Sequence, residues 1–396
     1  MKRVELLAPA GDLLKAKYAL IYGADAVYIG GKSFSLRYFA SNFTKEDILE
    51  AVKFAHNLHK KVYVTVNMVM HDEDISGLKE YLQYLKDIEV DAVIASSIYV
   101  LKIGNEIGLD VHMSTQLSIL NNEAVNFYYK LGSKRIVLGR ELSLEEIKKV
   151  KKNTEAEIEV FIHGGMCSSY SGRCMLSQEM CDRDPNRGGC AHSCRWKYHL
   201  LDDKGDYLYP LDDYMTLSSK DLCAIREIPD LIEAGVSSLK IEGRMKSLNY
   251  LAFIISSYRK CIDDYYEGKS LDFDLYQKFI AYGENRLTGH GFLHGEVTVN
   301  ESLLDLNNSF DHAGEFIGSV ISYDKEKKLI KLDVKNRIYP NSKYLVISPG
   351  GILKEVETGS IFYKGQKVDK FTIAQEIVEL ECEEEVSSYS LLHIIR

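Results

Sequence analysis

Long apolar runs are missing from this chain of 396 residues. None approaches the roughly 20 residues that a membrane-spanning helix needs. The sequence turns polar at Gly11-Asp12 and carries Lys15 and Lys17 soon after, so it has no apolar core of a signal peptide. We therefore expect a cytoplasmic protein without a membrane partner, in which thiols stay reduced.

An excess of positive charge is missing too. Acidic residues number 58 against 49 lysines and arginines, and the net charge is −9 with histidine neutral. This balance argues against a protein that covers itself in nucleic acid, but phosphate binding depends on where the basic residues lie. A local basic patch therefore stays open.

Common hydrolase and metal-binding motifs are also absent. The sequence contains neither His-Glu-x-x-His nor Gly-x-Ser-x-Gly. Ser237-x-x-Lys240 matches a Ser-Lys hydrolase pattern only formally, because it enters a predicted strand where that pattern needs a helix. Cys-x₂-Cys knuckles of zinc ribbons are lacking, and the two residues after Cys190-x₃-Cys194 do not lead to the third cysteine of a radical-SAM motif.

What the sequence does contain is a regular alternation of short β-rich segments with amphipathic helical segments. Two helix starts are clear, with Thr44 as one N-cap and Ser143 as another, the latter with Glu146 in the capping-box position. This order predicts an α/β fold in which a (β/α)₈ TIM-like barrel spans residues 1–295. The predicted strands are Glu5–Ala8, Ala26–Ile29, Val62–Asn67, Ala92–Ala95, Asp110–Ser114, Arg135–Leu138, Ile158–His163 and Ser238–Glu242.

The pattern changes after about residue 295. Five β segments follow one another without helices between them, which predicts a small C-terminal all-β barrel or sandwich over residues 300–396. The segments are 315–322, 329–334, 343–347, 361–362 with 368–373, and 388–395.

A long insertion interrupts the barrel pattern between the seventh and eighth strands, over residues 164–237. Insertions of this size in a compact domain are usually functional. It starts at the carboxyl end of a strand, the face where barrel enzymes place their chemistry. Six of the eight cysteines lie in it, at positions 167, 174, 181, 190, 194 and 223.

Those cysteines predict a metal site. An isolated cysteine such as Cys261 or Cys382 is usually a small buried apolar side chain, but six in one segment rich in glycine, serine and arginine are not. Four thiolates suit either a zinc ion or a [4Fe–4S] cluster. Scattered ligands with long gaps favour the cluster.

Charged and polar residues at strand ends are the other candidate functional groups. Lys240, Glu242 and Arg244 lie at and just past the eighth strand, where charges either pair with one another or face substrate. His163, beside the first cysteine motif, is either a proton donor or a structural histidine. Further candidates at strand ends are Asn67, Ser114, Gln116, Arg140 and Glu141.

The insertion also carries a basic segment. It surrounds Trp196 and Tyr198, a combination that grips phosphates and stacks a base in some RNA-binding proteins. A solvated loop face is the alternative. The basic residues are Arg183, Arg187, Arg195 and Lys197.

At these motifs the sequence resembles the collagenase-like peptidase family, a class U family of unknown catalytic mechanism. The resemblance covers almost the whole chain, and Gly165 stands where the family more often has alanine. The segments that carry it are Glu5–Gly11, Gly23–Gly30, Asn42-Phe43, Glu159–Gly164 continuing to Cys174–Ser177, Ser219–Cys223 and Lys240–Ser247.

The resemblance implies an activity other than proteolysis. Several members act as oxygen-independent hydroxylation factors for RNA bases or ubiquinone precursors. The chain is most similar to the branch that forms 5-hydroxyuridine at the tRNA wobble position, with a [4Fe–4S] cluster and prephenate as co-substrate. The partners so implied are tRNA, a prephenate-like small molecule and a paralogous family member.

The resemblance also implies ligands and substrate contacts. The cluster ligands would be Cys167, Cys174, Cys190 and Cys223, with Cys194 as the alternative to Cys190. The catalytic candidates are His163, Lys240, Glu242 and Arg244. The two carboxylates of prephenate call for arginines, with Arg244 again among them. The substrate-binding candidates are Arg37, Asn67, Gln116, Arg140, Arg173 and Arg195.

Three functions are therefore carried forward. The first is an iron–sulfur tRNA hydroxylation enzyme. The second is a collagenase-like peptidase, which needs a nucleophile or an activated water that no clear set of residues supplies. The third is a zinc-containing RNA-binding accessory protein.

Overall fold

The computed structural model describes residues 3–36, 42–297 and 314–395. The chain divides into two compact units. The first comprises Met1–Leu20, Ala24–Lys246 and Arg286–Phe310, and the second comprises Ile21–Gly23, Ser247–Asn285 and Asp311–Arg396. The domain limits 1–295 and 300–396 stay a prediction. Within the described residues, no helix combines the length and apolar character needed to cross a bilayer.

Eight parallel strands close into a barrel in the first unit, as predicted. The eight barrel strands are β1 (Glu5–Pro9), β2 (Ala26–Gly30), β3 (Lys61–Val66), β4 (Ala92–Ala95), β5 (Val111–Met113), β6 (Arg135–Val137), β7 (Glu157–Gly164) and β9 (Ser238–Ile241), and two short strands, β8 (Asp221–Cys223) and β10 (Thr288–Gly289), extend the sheet beside β7. Strands β1 to β7 pair in chain order, and β9 pairs in parallel with both β7 and β1, which closes the ring.

Helices surround these strands in the alternating order that the sequence predicts. They are α1 (Leu13–Ile21), α2 (Lys45–Asn57), α3 (Leu78–Asp87), α4 (Ile98–Ile107), α5 (Asn122–Lys130), α6 (Leu144–Lys152), α7 (Leu176–Cys181) and α8 (Ile228–Glu233). The predicted caps are confirmed, since Thr44 begins α2 and Ser143 begins α6, each with a capping box. Short 3₁₀ turns lie at Asp72–Ile75, Thr115–Leu117, Tyr170–Gly172, Pro185–Arg187 and Ser193–Arg195.

The barrel strands are almost wholly buried, as parallel strands covered by helices must be. Side chains from several strands fill the interior, so the barrel is a packed core and not a pore. Members of this interior cluster are Leu7, Ala26, Tyr28, Tyr63, Ala92 and Ile94.

The cysteine-rich segment leaves the barrel after β7 and returns along it. Strand β8 runs antiparallel to the end of β7, with Cys223 opposite His163 and Leu222 opposite Gly164. Strand β10 pairs with the other edge of β8. The predicted insertion of residues 164–237 thus includes α8, which is the helix before the eighth barrel strand.

The second unit contains an antiparallel barrel of six strands, which confirms the predicted all-β barrel. It comprises two helices, α9 (Leu248–Tyr266) and α10 (Phe273–Gly283), and the strands β11 (Gly314–Asp324), β12 (Leu329–Val334), β13 (Lys343–Ser348), β14 (Ile352–Tyr363), β15 (Gln366–Val368), β16 (Ile377–Cys382) and β17 (Leu391–Ile395). The ring runs β13-β17-β11-β12-β16-β14 and closes by pairing β13 with β14, while β15 extends β14.

Below neutral pH, we expect a buried histidine to destabilise the second unit. Burial lowers the pKa of His393 to about 3, and its ring packs against Phe253 and Phe316. The unfolded chain binds this proton near pH ~6.5. Between these two values only the unfolded state is protonated, so stability falls as the pH drops below ~6.5.

Replacement of His393 by leucine should remove that part of the pH dependence. Urea unfolding followed by circular dichroism between pH 5 and 7.5 should show a flatter profile for the variant than for the wild type, by about 1 kcal/mol per pH unit. His59→Asn, at an exposed position, is the control and should keep the wild-type slope. Equal slopes for wild type and His393→Leu would contradict the assignment.

Candidate functional site

The carboxyl end of the barrel brings together Tyr28, Arg140 and Glu242 from three different strands. Tyr28 lies in β2, while Arg140 and Glu242 follow β6 and β9. The Tyr28 hydroxyl donates toward Glu242 Oε2 and the Ile241 carbonyl oxygen, both at 3.1 Å. Arg140 Nη2 lies 3.7 Å from the same Glu242 oxygen. A half-buried carboxylate is thus held between a phenol and a guanidinium.

The protonation state of Tyr28 follows from its surroundings. Burial raises the pKa of Tyr28 well above its usual value, and the negative charge of Glu242 raises it further. The phenol therefore keeps its proton at neutral pH and acts as a hydrogen-bond donor to Glu242.

Arg140 links this carboxylate to the start of the cysteine segment. Its guanidinium lies 3.8 Å above the centre of the Phe161 ring, and its Nη1 donates to the Gly165 carbonyl oxygen at 2.6 Å. Arg195 approaches the same glycine, because a Cβ at Gly165 would come within 3.0 Å of Arg195 Nη2. Two predicted substrate-binding arginines therefore lie near Gly165, which is two residues before Cys167.

The thiol of Cys167 responds to its neighbours. Residue 167 as a whole is exposed, yet the atoms packed around the thiol raise its pKa. The nearby thiols of Cys194 and Cys174 also raise this pKa, while the Arg140 guanidinium lowers it. Three of the candidate ligands and a predicted substrate-binding arginine thus share one electrostatic environment.

Local hydrogen bonds hold the backbone around Cys174. The Asn186 side chain accepts from the Cys174 amide at 3.2 Å and donates to its carbonyl oxygen at 2.9 Å. The Leu176 amide donates to Cys174 Sγ at 3.3 Å. Cys174 is therefore held as a ligand would need to be.

A serine pair joins α7 to the stretch that carries Cys190 and Cys194. Ser177 Oγ lies 3.3 Å from Ser193 Oγ and accepts from the Ala191 amide at 3.1 Å. Cys181, in contrast, donates from Sγ to the Ser177 carbonyl oxygen of its own helix at 3.1 Å. Cys181 therefore has a local structural role.

Lys240, one of the predicted catalytic residues, is buried inside the barrel. Its ammonium is buried, 4.6 Å from the ring centre of Tyr28, and donates to Glu159 Oε1 at 2.7 Å. Glu159 also accepts from Arg135 Nη1 at 3.3 Å, and it is wholly buried. The catalytic assignment of Lys240 stays a prediction, and the contacts that Lys240 makes here are those of an internal ion pair.

Arg244 is buried as well, and it supports the segment after β2. Its Nη2 donates to Asn42 Oδ1 at 2.7 Å, and its Nη1 donates to Ser35 Oγ and the Leu36 carbonyl oxygen, both at 3.1 Å. Gly30 leaves room for the guanidinium, since a Cβ there would collide with it. These contacts make Arg244 a positioning residue for that segment.

The other predicted site residues that the structure describes make local contacts. His163 is buried and pairs across β7 and β8 with Cys223. Asn67 Oδ1 accepts from the Leu36 amide at 3.3 Å. Arg173 is exposed, and its Nε donates to the Gln116 carbonyl oxygen at 2.6 Å. Arg37 lies outside the described residues.

One part of the basic segment is structural. Arg187 pairs with Asp74, on the 3₁₀ turn after β3, and donates to the Val69 carbonyl oxygen at 3.1 Å. Trp196 remains exposed next to Arg195, and Lys197 lies 4.0 Å from the ring centre of Tyr214. Arg187 therefore anchors the insertion, and the candidate RNA-contacting residues narrow to those around Trp196.

Sequence reasoning did not predict the roles of Tyr28 and Asp221. The sequence predicts Tyr28 only as a residue of the strand Ala26–Ile29. Asp221 begins β8 and is buried, with Lys246 Nζ at 3.2 Å and Arg286 Nε at 3.0 Å. Lys246 and Arg286 lie 25 and 65 positions after Asp221, so no local sequence pattern indicates that these residues pair.

Comparisons with known proteins match almost the whole length of the chain. The model of peptidase family U32 matches residues 11–302, and that of the family's C-terminal domain matches residues 313–393. The chain is 42% identical over 348 residues to tRNA hydroxylation protein P1 of Bacillus subtilis, covering 85% of this chain and 81% of that protein.

Two further relatives differ in their names. A 23S rRNA 5-hydroxycytidine synthase of Escherichia coli is 40% identical over 66% of this chain and 39% of its own length. A protein of Porphyromonas gingivalis named collagenase is 30% identical over 94% of this chain and 93% of its own. With both family models matched in order along almost the whole sequence, the chain belongs to peptidase family U32.

Proposed function

We propose that this chain is an RNA-modifying enzyme that hydroxylates the wobble uridine of tRNA at its 5 position. In this proposal it holds a [4Fe–4S] cluster, and the reaction depends on prephenate as co-substrate and not on dioxygen. The relatives named for tRNA hydroxylation and for 5-hydroxycytidine synthesis support the reaction class. The observation that carries it is the thiol-rich segment lying against Arg140 and Glu242 at the barrel mouth.

The donor set fits an iron–sulfur cluster. Thiolates are the usual ligands of such clusters, which supply one-electron redox chemistry when bound. A zinc ion with Zn–S bonds of about 2.3 Å needs sulfurs about 3.8 Å apart. Among the cysteines of the insertion, all of which the structure describes, no three thiols lie within 4.8 Å of one another. The preference for the cluster over four-thiolate zinc therefore rests on the family resemblance and on the lack of Cys-x₂-Cys knuckles in the sequence.

The arginines at the mouth fit a dicarboxylate. Guanidinium groups bind carboxylates bidentately, and prephenate carries two of them. Arg140, which donates to the Gly165 carbonyl oxygen, and Arg195, which approaches the same glycine, are our first candidates. Exposed Arg173, which donates to the Gln116 carbonyl oxygen, is a further one, and Gln116 and Asn67 are the polar candidates. Arg244, which donates to Asn42 and Ser35, would position the described residues of the segment after β2.

Glu242 is the best placed group for proton transfer. It combines partial exposure with two partners of opposite kind, the Tyr28 hydroxyl and the Arg140 guanidinium. We assign it the task of accepting the proton lost from the base or from the oxygen donor. His163 lies next to Cys223 and remains the second candidate.

Peptidase activity is the second candidate function, because one relative is named collagenase. The distinguishing experiment is mass spectrometry of tRNA nucleosides from a strain in which the gene is deleted. Loss of wobble 5-hydroxyuridine, restored by the wild-type gene, is expected. Unchanged hydroxyuridine together with peptide cleavage by the purified protein would replace our proposal by the peptidase.

Removal of the Tyr28 hydroxyl should reduce activity more than stability. In Tyr28→Phe, Glu242 loses a hydrogen bond that is worth about 1.5–3 kcal/mol because its acceptor is charged, so we expect roughly a tenfold loss or more of hydroxyuridine. Nucleoside mass spectrometry measures it in the complemented deletion strain.

A matched control exists at the opposite end of the barrel. Tyr63 also donates from a buried hydroxyl to a carboxylate, Glu5 Oε2, at 2.6 Å. Tyr63→Phe should lower the unfolding midpoint and leave hydroxyuridine close to the wild-type level. If both variants lost hydroxyuridine equally, the effect would be one of folding, and the role assigned to Tyr28 would fail.

A further inference from the structure

A second cluster of metal-binding side chains lies outside the cysteine segment. Glu227, at the start of α8, accepts through Oε1 from two histidine rings of the turn after β10. His290 Nδ1 lies at 3.0 Å and His294 Nε2 at 2.7 Å, and the ring centres are 4.5 Å apart. The three ligand atoms, one from each residue, all lie within 4.8 Å of one another.

One oxygen of the Glu227 carboxylate receives no hydrogen bond from the described residues. Only 5% of the residue is exposed, and its second oxygen, Oε2, is buried without a hydrogen-bond partner there. An unsatisfied buried carboxylate oxygen is costly, and a bound cation is one partner, beside an ordered water, that removes the cost. The two histidine side chains are 46% and 63% exposed, which gives an ion a path from solvent.

The chemistry of the three ligands selects the class of ion. Two imidazoles with one carboxylate are typical of zinc and other late divalent transition metals, with further positions left to water. Bonds of about 2.0–2.1 Å place neighbouring ligand atoms about 3 Å apart, close to the separations found here. Calcium and magnesium prefer oxygen ligands alone and fit poorly.

The turn between the histidines packs onto the cysteine segment. A Cβ at Gly291 would touch Met166 Cε and Leu222 Cδ1, both at 3.3 Å. Met166 precedes Cys167, and Leu222 precedes Cys223. A bond from the turn to Glu227 would therefore restrain the backbone next to two candidate cluster ligands.

We propose that Glu227, His290 and His294 bind one divalent transition-metal ion of the zinc class, at a site distinct from the cysteines. The ion fastens the turn at 290–294 to the start of α8 and so supports the base of the cysteine segment. This role is structural, and it does not depend on which reaction the barrel mouth performs.

Cobalt(II) is a suitable probe, because its spectrum identifies the ligands. Titration of the full-length protein should show d–d bands from a site of nitrogen and oxygen ligands, separate from the intense thiolate charge-transfer bands of any cobalt bound to the cysteines. His294→Asn, at an exposed position, should weaken this site at least tenfold. Glu227→Gln, which keeps side-chain size, should do the same. Zinc should raise the melting temperature of the wild type by more than that of either variant.

His56 provides the matched control. Its Nε2 lies 3.1 Å from Asp91 Oδ2, a histidine–carboxylate pair without a second imidazole. His56→Asn should bind cobalt like the wild type. The proposal is overturned if all bound cobalt shows thiolate bands, or if His294→Asn and Glu227→Gln bind it as tightly as the wild type. In either case the three residues form only a hydrogen-bonded cluster.

Discussion

Replacement of Cys174 by serine is expected to abolish tRNA hydroxylation, with a loss of about 100-fold or more. Removal of a residue that only hydrogen-bonds to a metal ligand typically lowers metal affinity or activity 10–100-fold, and Cys174 is a proposed direct ligand. Its backbone is fixed by Asn186, and its sulfur accepts from the Leu176 amide. Serine keeps the size of the side chain but does not offer a thiolate. The measurement is wobble 5-hydroxyuridine in the complemented deletion strain, with iron and sulfide analysis of the protein.

Cys181 supplies the control within the same segment. Its thiol bonds to its own helix, so Cys181→Ser should retain iron, sulfide and hydroxyuridine near wild-type levels. Protein purified anaerobically should be coloured in the wild type and in this control, and colourless in Cys174→Ser. Colourless wild-type protein that carries stoichiometric zinc without iron would refute the cluster and favour the zinc-containing alternative.

The same assay decides between Cys190 and Cys194. The family resemblance implies Cys190, whereas the electrostatic influence of Cys194 on Cys167 supports Cys194. Only the true ligand should show the full loss of iron when replaced by serine. The other serine variant should behave like Cys181→Ser.

The barrel was predictable because its strands carry a strong local signal. A segment such as Ala92–Ala95 is short, apolar and bounded by polar turns, and its predicted limits are those of β4. Thr44 and Ser143 cap helices through bonds to residues three positions away, which a sequence shows directly. Closure of the barrel followed from counting such units.

The C-terminal barrel was predicted less completely. Strand β16 (Ile377–Cys382) was missed and β14 (Ile352–Tyr363) was predicted only at its end. Both carry several glutamates, which lower β propensity. In β16 the burial nevertheless alternates strictly between exposed and buried positions, and this period of two was the available signal.

The site was predictable in its elements but not in its pairings. Charged residues at strand ends identified Arg140 and Glu242, which the structure brings to 3.7 Å. The partner of Lys240 is Glu159, 81 positions earlier in the chain, and it lies inside an apolar strand. Contacts of this kind depend on how strands adjoin in the closed barrel, which periodicity does not reveal.

That internal pair gives the largest expected effect on stability. Glu159→Gln removes the anionic partner of the buried Lys240 ammonium, while Arg135 keeps Glu5 and Glu157. Breaking a buried ion pair from one side costs about 3–5 kcal/mol, because the remaining charge is desolvated and uncompensated. Urea unfolding followed by the fluorescence of the single tryptophan, Trp196, reports on the first unit.

A double variant separates the ion pair from simple damage to the core. Glu159→Gln combined with Lys240→Met removes both charges, so it should recover most of the lost stability, to within about 1–2 kcal/mol of the wild type. Asp110→Asn, which breaks the exposed pair with Lys134 at 3.0 Å, should cost no more than about 1 kcal/mol. If the double variant were as unstable as Glu159→Gln, packing and not charge would explain the loss. If it also hydroxylated tRNA normally, Lys240 would be a structural residue and the catalytic assignment would be withdrawn.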